Sequence, residues 1–318
     1  MIDCAVADIF RKQSRCALIA HIAPDGDTLG STLALSLALE AVGIKSDLYC
    51  EEVVPQIYRL LPGWERFYLP PSSPPEYGLA VAVDVSVSER MGACESIFLA
   101  AKETLVLDHH KTNSGFGDTN VIVDKAATAE IILELIDVLG VPLSRDVAVN
   151  LYVGLSTDTG NFSYANTTGD ALRTAARLVD TGIDVAEITR LVFRLRSLAK
   201  TKLIGRAIEK FRFDANGKIA WVYLSPGDYA DCGATDEDTE GIINYAIECK
   251  DVEIAILARE RNGAVKLSLR SSGAVDVGSL ADTLGGGGHT NAAGITLSGD
   301  VDSVMESVLA AARGVIGA

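Results

Sequence analysis

A carboxylate followed by two imidazoles, Asp108-His109-His110, is the group of residues in this chain best suited to chemistry. The chain contains only four histidines, and two of them stand here, directly after the apolar residues 105–107 and before the polar stretch 111–115. This pattern predicts a buried strand that delivers the three side chains to its C-terminal end. Open α/β sheets bind their ligands at such ends.

Residues of the same chemical types stand near the predicted ends of other elements. Two apolar runs, each a predicted strand, end at a histidine or an aspartate, and two aspartates lie in the turn before a predicted helix. A small, polar, glycine-bounded segment, where we expect a loop at a helix end, holds a further carboxylate. These residues are His21 after 17–20, Asp84 after 79–83, Asp25 and Asp27 in the turn, and Asp158 in the glycine-bounded segment.

Each of these residues alone is more typical of a turn, a helix cap or a hydrogen-bonded structural position than of a metal ligand. Together they favour a functional site, because five carboxylates in one crevice cannot all stay ionised without compensating cations. Mixed imidazole and carboxylate donors without thiolates predict two divalent metal ions, Mn²⁺ first, with Mg²⁺, Co²⁺ or Fe²⁺ as alternatives. Two ions about 3.5–4 Å apart are a common arrangement for hydrolysing phosphate esters.

The elements that position these residues follow from hydrophobic and capping patterns. Three predicted strands end in His or Asp with helical segments between them, which predicts an α/β fold with a mainly parallel sheet. We assign this domain to residues 1–189. Its helices are expected at 28–42 with Asp27 or Thr28 as N-cap, after 126–129 to about residue 139, from Arg145 onward, and from 167–170 to about Asp180.

A basic helical stretch, 190–210, is predicted to link this domain to a second one at 211–318. The pattern there changes to shorter strands and helices, which predicts a smaller mixed α/β domain. Its strands are expected at 219–224, 253–258 and 265–269, with Arg261-Asn262-Gly263 turning the last two as a hairpin, and its helices at 236–247, 275–284 and 301–313.

Two features of the second domain suit a phosphate: Arg270-Ser271, and a run of four glycines, 285–288, directly before His289. The run lacks the Lys-Ser/Thr of a P-loop and does not follow the GxGxxG spacing. It is a weaker signal than the motifs of the first domain: it is compatible with a flexible loop, or with a backbone whose N–H groups approach a phosphate closely.

Composition limits the classes of partner. The net charge of −15 argues against nonspecific binding to long nucleic acid, long duplexes included, although a short phosphorylated ligand at a metal site is compatible with it. Six scattered cysteines without a CxxC pair predict neither a disulfide framework nor a zinc knuckle. No leader-like or membrane-spanning run is recognised, so we expect a soluble, cytoplasmic protein with no membrane partner.

The motifs resemble those of a known family. Those of the first domain are similar to the four motifs of the DHH phosphoesterases, and those of the second to the DHHA1 substrate-binding domain. The resemblance spans essentially the whole chain and is greatest to the NrnA-type bifunctional oligoribonucleases and pAp phosphatases. The matching segments are His21-Ile-Ala-Pro-Asp25-Gly-Asp27, Asp84, Asp108-His109-His110-Lys-Thr-Asn113, Thr157-Asp158-Thr-Gly160, Arg270-Ser271 and Gly285-Gly-Gly-Gly-His289-Thr-Asn-Ala-Ala-Gly294.

The resemblance implies hydrolysis of short RNA to nucleoside 5′-monophosphates and removal of the 3′-phosphate of pAp. It also implies a role for each residue, with Asp84 shared by the two metal ions. His21, Asp25 and Asp84 would hold the first ion, and Asp27, Asp84, His109 and Asp158 the second. His110 would contact the scissile phosphate and stabilise or protonate the leaving group, and Asp108 would orient an imidazole. Arg270, Ser271, His289 and the amides of Gly286, Gly287 and Gly288 would hold a terminal phosphate or the nucleotide, with Asn113 as a further phosphate contact.

Other functions stay open. Cyclic dinucleotides such as c-di-AMP, or linear products such as pApA, are alternative substrates for the same chemistry. Arg270 and the glycine run disfavour an inorganic pyrophosphatase of the related family II type. A non-catalytic nucleotide sensor is disfavoured because every position expected to provide a metal ligand carries a histidine or an aspartate. The sequence does not rank di- to pentanucleotides, pAp, pApA and c-di-AMP, and it leaves the oligomeric state unassigned.

Overall fold

The computed structural model describes residues 2–261 and 263–317. The chain divides into two compact units, Met1–Leu195 and Arg196–Ala318. This division falls inside the predicted connector 190–210, and the predicted domain limits at 189 and 211 stay predictions. Within the described ranges, no helix is long and apolar enough to cross a membrane.

The first unit is built on a six-stranded parallel sheet with strand order β3-β2-β1-β4-β5-β6, which confirms the predicted α/β architecture. The strands are β1 (Arg15–Ile19), β2 (Lys45–Tyr49), β3 (Phe67–Tyr68), β4 (Ala80–Val83), β5 (Thr104–Asp108) and β6 (Thr119–Ile122). The helices are α1 (Cys4–Arg11), α2 (Gly26–Ala41), α3 (Glu95–Ala100), α4 (Thr128–Leu139), α5 (Arg145–Asp158), α6 (Gly169–Val179) and α7 (Val185–Thr189), and a π-helical turn, Arg190–Arg194, follows α7.

The three strands predicted from apolar runs, β1, β4 and β5, lie side by side at the centre of this sheet. They are buried almost throughout, which is why continuous apolar runs identified them. Three strands were not predicted: β2, which begins with polar residues, β3, which spans two residues, and β6, a partly exposed edge strand. Because β1, β4 and β5 are parallel neighbours, the residues that follow them meet at one edge of the sheet.

Helices α2 and α4 pack on one face of the sheet, α5 packs against α2 and α4, and α3 packs on the other face of the sheet. Two predictions about these helices were wrong. The N-cap of α2 is Asp25, whose side chain accepts hydrogen bonds from the backbone N–H groups of Asp27 and Thr28. Asp158 was expected in a loop, but helix α5 continues through it. Gly154 does not end the helix; its missing side chain leaves room for the side chain of Asp27 at a close contact between α5 and α2.

The second unit is a smaller mixed α/β unit, as predicted. Its sheet has the order β11-β12-β10-β9-β8-β7, in which β8 and β9 are parallel and the other neighbours antiparallel. The strands are β7 (Arg212–Asp214), β8 (Ile219–Leu224), β9 (Ile254–Arg261), β10 (Ala264–Ser271), β11 (Gly287–His289) and β12 (Ala292–Ser298). The helices are α8 (Leu198–Glu209), α9 (Pro226–Cys232), α10 (Ile242–Ile247), α11 (Val277–Thr283) and α12 (Val301–Ile316).

Details of the second unit differ from the expectation. The predicted helix 236–247 is a 3-10 turn, Asp236–Thr239, followed by α10, and Gly241 between them takes a left-handed φ of 79°. Helix α8 falls in the predicted connector, but its side chains Leu203, Ile204 and Ala207 pack in the core of this unit. In the predicted hairpin turn Asn262 lies outside the described residues, while β9 and β10 on either side pair antiparallel as expected.

A buried carboxylate, Asp228, joins α9 to α8. The Nζ of Lys210 lies 2.5 Å from its Oδ2, and the Nη1 of Arg206 lies 3.2 Å from its Oδ1. Ser225, the N-cap of α9, donates to the same carboxylate through its backbone N–H and its hydroxyl. Burial opposes ionisation, but these donors outweigh it and lower the pKa of Asp228 to about 2.

Candidate active site

One cluster of polar side chains lies at the carboxyl edge of the parallel sheet. His21 follows β1, Asp84 follows β4, and Asp25 caps α2. The Nε2 of His21 lies 3.7 Å from Asp25 Oδ2 and 3.6 Å from Asp84 Oδ2. Asp84 itself has a left-handed φ of 62°, a backbone conformation that aspartate adopts more readily than most residues. The three residues therefore offer one nitrogen and two carboxylate oxygens to a common point.

A second cluster lies beside the first and comprises Asp27, His109 and Asp158, whose ligand atoms all lie within 4.8 Å of one another. Asp27 comes from the first turn of α2, His109 follows β5, and Asp158 is the last residue of α5. The Nε2 of His109 lies 3.1 Å from Asp158 Oδ2 and 3.6 Å from Asp84 Oδ1. Asp84 thus turns one oxygen toward each cluster.

The charges in these clusters require compensation. Burial raises the pKa of Asp27 well above its ordinary value, with further increases from Asp84 and Asp158, and burial also raises the pKa of Asp158. Burial opposes the protonation of His21 and His109, but the carboxylates beside them outweigh it and raise the pKa of each imidazole to about 10. Buried oxygen and nitrogen donors without thiolates fit two hard or borderline divalent ions.

His110 is held by a chain of hydrogen bonds that ends in the sheet. Its Nδ1 lies 2.7 Å from Asp108 Oδ1, and Asn113 Nδ2 donates to Asp108 Oδ2 at 2.7 Å. Asp108 is fully buried, whereas the His110 side chain is 41% exposed. The hydrogen bond to Asp108 raises the pKa of His110. Burial opposes the ionisation of Asp108, but the bonds from His110 and Asn113 outweigh it and lower the pKa of that carboxyl.

Asn113 is part of this chain of hydrogen bonds and does not lie at an open surface. Its Nδ2 donates to Asp108 Oδ2 and to the backbone oxygen of Val85 at 3.0 Å, while its Oδ1 accepts from the N–H of Gly115 at 2.8 Å. Both hydrogens of the amide are therefore donated inside the protein, and a phosphate contact would break one of these bonds. The geometry favours a positioning role for Asn113 over the predicted phosphate contact.

Thr128 and Arg90 also contact the metal-ligand candidates, and neither was predicted to do so. The hydroxyl of Thr128 donates to Asp84 Oδ1 at 2.8 Å. The Nη2 of Arg90 lies 2.9 Å from His21 Nδ1 and 3.2 Å from the Ile22 oxygen, to which it donates. A threonine at a helix start and an arginine in a short turn are ordinary residues in ordinary positions, so nothing in the local sequence singles them out.

In the second unit, strand pairing brings Arg270 and His289 to one face of the sheet. Both residues pair with Ala292, Arg270 from β10 and His289 from β11, so their side chains leave the same face with β12 between them. Two strand spacings separate their backbones by about 10 Å. Ser271, in contrast, accepts hydrogen bonds from the N–H groups of Gly273 and Val275 and so shapes the turn after β10.

The second half of the glycine run is part of the sheet. Gly287 and Gly288 begin the edge strand β11, which pairs antiparallel with β12, and Gly285 and Gly286 precede it. A Cβ on Gly286 would lie 2.4 Å from the Gly294 oxygen, and a Cβ on Gly288 would lie 2.5 Å from the Ala292 oxygen. These two glycines are required because the backbone approaches β12 closely, whereas among the described residues a Cβ on Gly287 would meet only Asp282 Oδ1, at 3.6 Å.

The first unit is a parallel sheet with histidines and aspartates gathered at its strand ends. The second is a mixed α/β unit that presents an arginine and a histidine on one face. Together they define the class of two-domain phosphoesterases. The model of the DHH family N-terminal domain matches residues 15–155, and that of the DHHA1 domain matches residues 216–318. The chain belongs to the DHH/DHHA1 family of phosphoesterases, as its motifs predict.

Relatives in this family cover nearly the whole chain. The bifunctional oligoribonuclease and PAP phosphatase NrnA of Thermus thermophilus is 37% identical over 97% of this chain and 92% of its own length. The cyclic-di-AMP phosphodiesterase GdpP of Geobacillus thermodenitrificans is 23% identical over 92% of this chain but 46% of its own length. The crystal structure of an exopolyphosphatase-related protein from Bacteroides fragilis has the same fold, with a TM-score of 0.89 at 23% identity over 96% of this chain and 94% of that one.

Proposed function

We propose that this chain hydrolyses short oligoribonucleotides to nucleoside 5′-monophosphates and removes the 3′-phosphate of pAp, using two divalent metal ions. The observation that carries the proposal is the position of Asp84, whose two oxygens face two separate clusters of imidazole and carboxylate donors. The names of the relatives support the substrate class. The net charge of −15 agrees with short substrates over long strands.

The residues divide the work as follows in this proposal. His21, Asp25 and Asp84 hold one ion, and Asp27, Asp84, His109 and Asp158 hold the other. When bound, such ions activate water and stabilise charge on the attacked phosphate, and Mn²⁺ suits the mixed donors best, with Mg²⁺ or Co²⁺ as alternatives.

His110 has its Nδ1 directed at Asp108, so its Nε2 is left to face the phosphate and to give a proton to the leaving oxygen. Asp108 stays ionised, orients His110 and stabilises its protonated form, and Asn113 holds Asp108 in place. In the second unit, Arg270 and His289 would hold a terminal phosphate or the nucleotide, the guanidinium being suited to two parallel hydrogen bonds. The N–H groups of Gly286, Gly287 and Gly288 would assist.

The test is a side-by-side rate comparison on di-RNA, pAp, pApA and c-di-AMP with Mn²⁺, Mg²⁺ or Co²⁺, using the whole chain. We expect mononucleotides from di-RNA, AMP and phosphate from pAp, and loss of both activities with EDTA. The Asp84→Ala variant should be inactive and bind metal weakly, whereas Arg270→Ala should chiefly raise KM. Turnover confined to c-di-AMP or pApA would replace the substrate assignment. Metal binding without turnover of any of the four would support a nucleotide sensor instead.

A further inference from the structure

Thr128 contacts a carboxylate shared by the two clusters and a carboxylate of the second cluster. It is the first residue of α4, it is fully buried, and its hydroxyl donates to Asp84 Oδ1 at 2.8 Å. Its backbone N–H donates to Asp27 Oδ2 at 2.6 Å, and the next N–H, that of Ala129, donates to Asp27 Oδ1 at 3.0 Å. One short segment therefore touches the carboxylate shared by the two clusters and a carboxylate of the second cluster.

The hydroxyl of Thr128 distinguishes the two oxygens of Asp84. Oδ2 lies 3.6 Å from His21 Nε2 in the first cluster, while Oδ1, the oxygen that Thr128 bonds, lies 3.6 Å from His109 Nε2 in the second. Rotation of a carboxylate about its last torsion is only weakly restricted by the bond itself. A carboxylate oxygen accepts more than one partner, so Oδ1 can keep this hydrogen bond and still face a cation.

The same segment also orients the imidazole of the second cluster. The Nδ1 of His109 lies 3.1 Å from the backbone oxygen of Lys125. A carbonyl can only accept, so this contact requires a proton on Nδ1 and directs Nε2 toward Asp158 and Asp84. The first cluster is braced by other groups: the Ile22 oxygen lies 2.8 Å from His21 Nδ1. Apart from the bond to the shared Asp84, the segment 125–129 therefore contacts ligand candidates of the second cluster, Asp27 and His109.

We infer that Thr128 is a positioning residue that assigns one oxygen of Asp84 to each metal ion and thereby sets the affinity for the second ion. This inference rests on the proposed two-metal function. Removing the hydroxyl leaves the Asp27 contacts in place, since they come from backbone N–H groups. The expected defect is therefore confined to Asp84 Oδ1 and to the ion that His109 and Asp158 hold.

The test measures Mn²⁺ binding by calorimetry and by electron paramagnetic resonance on the whole chain, with Thr128→Val, Thr128→Ser and Thr32→Val beside the parent. Thr32 is the matched control, because it is also fully buried and its hydroxyl has no hydrogen-bond partner within the described ranges. We expect two ions in the parent chain. Thr128→Val should weaken the second ion about 10–100-fold and leave the first unchanged. Thr128→Ser should restore both ions and the spectrum of a coupled Mn²⁺ pair, and Thr32→Val should match the parent.

Different outcomes refute different statements. A parent chain that binds fewer than two ions refutes the proposed function and this inference together. A parent chain that binds two ions while Thr128→Val binds them equally well overturns the inference alone. Equal weakening of both ions in Thr128→Val, or failure of Thr128→Ser to restore the second, also overturns it, because either result indicates general damage to the core. If Thr128→Val does not fold, the smaller Thr128→Ala carries the same comparison.

Discussion

Replacing Gly154 by alanine tests the geometry of the second cluster most directly. This glycine lies inside α5, where alanine would normally stabilise a helix by about 0.5–1 kcal/mol relative to glycine. Here a Cβ would lie 2.8 Å from Asp27 Oδ1, 3.2 Å from the Cβ of Ala129 and 3.3 Å from Asp27 Cα. The Gly154→Ala variant should therefore displace a carboxylate that is fully buried.

The magnitude follows from the contacts of that oxygen. An ordinary Cβ contact begins near 3.4 Å, so Asp27 Oδ1 must move by about 0.6 Å. It accepts hydrogen bonds from Ser31 Oγ and from the N–H of Ala129, both at 3.0 Å. Losing one bond to this carboxylate, which is ionised when it holds a metal ion, costs about 1.5–3 kcal/mol. After the gain of about 0.5–1 kcal/mol in helix propensity, the net destabilisation of the metal-bound chain is about 0.5–2.5 kcal/mol. Affinity for the second ion should fall about 10–100-fold, as for other changes to groups that orient ligands.

The assay compares thermal unfolding with EDTA and with Mn²⁺, together with Mn²⁺ titration, in the parent chain, Gly154→Ala and Gly205→Ala. Gly205 is the matched control, because it also lies inside a helix, α8, but a Cβ there would meet no atom of residues 2–261 and 263–317 within 4 Å. Gly205→Ala should raise the melting temperature and leave metal binding unchanged. If Gly154→Ala behaves like Gly205→Ala, the close approach of α5 to Asp27 is refuted.

Three further predictions concern other parts of the molecule. Asn113→Ala should lower kcat far more than it raises KM, since Asn113 supports the chain behind His110; a rise in KM alone would indicate a phosphate contact. Gly286→Ala should separate β11 from β12 and raise KM, whereas Gly287→Ala should be nearly neutral, and equal effects on KM in steady-state kinetics would contradict the strand pairing. The pKa of Asp228 is lowered, so its contribution to stability is complete above its ordinary value of 3.8 and is lost as pH falls toward about 2. Asp228→Asn should therefore be less stable at neutral pH and show a smaller loss of stability between pH 4 and 2 in denaturant titrations.

Much of the fold and the composition of the site follow from local patterns. The apolar runs before His21, Asp84 and Asp108 identified the three central strands, because a strand buried on both faces must be apolar throughout. Neighbouring parallel strands end at one edge of the sheet, so the residues that follow them were expected to meet there. The family predicted from the motifs is confirmed as well. Partly polar and very short strands such as β2 and β3 carry no such pattern and were missed.

The sequence by itself determined the family, the α/β architecture and which side chains could bind metal or phosphate, since these depend on residue types and their order along the chain. Only the tertiary structure decided how those side chains are held. The backbone N–H of Thr128 donates to Asp27, 101 positions away in the sequence. The side-chain amide of Asn113 donates to the carboxylate of Asp108 and to the backbone oxygen of Val85. Gly154 and Gly286 admit groups from distant elements. Contacts of this kind depend on how whole helices and strands pack, and local sequence contains no periodic signal for them.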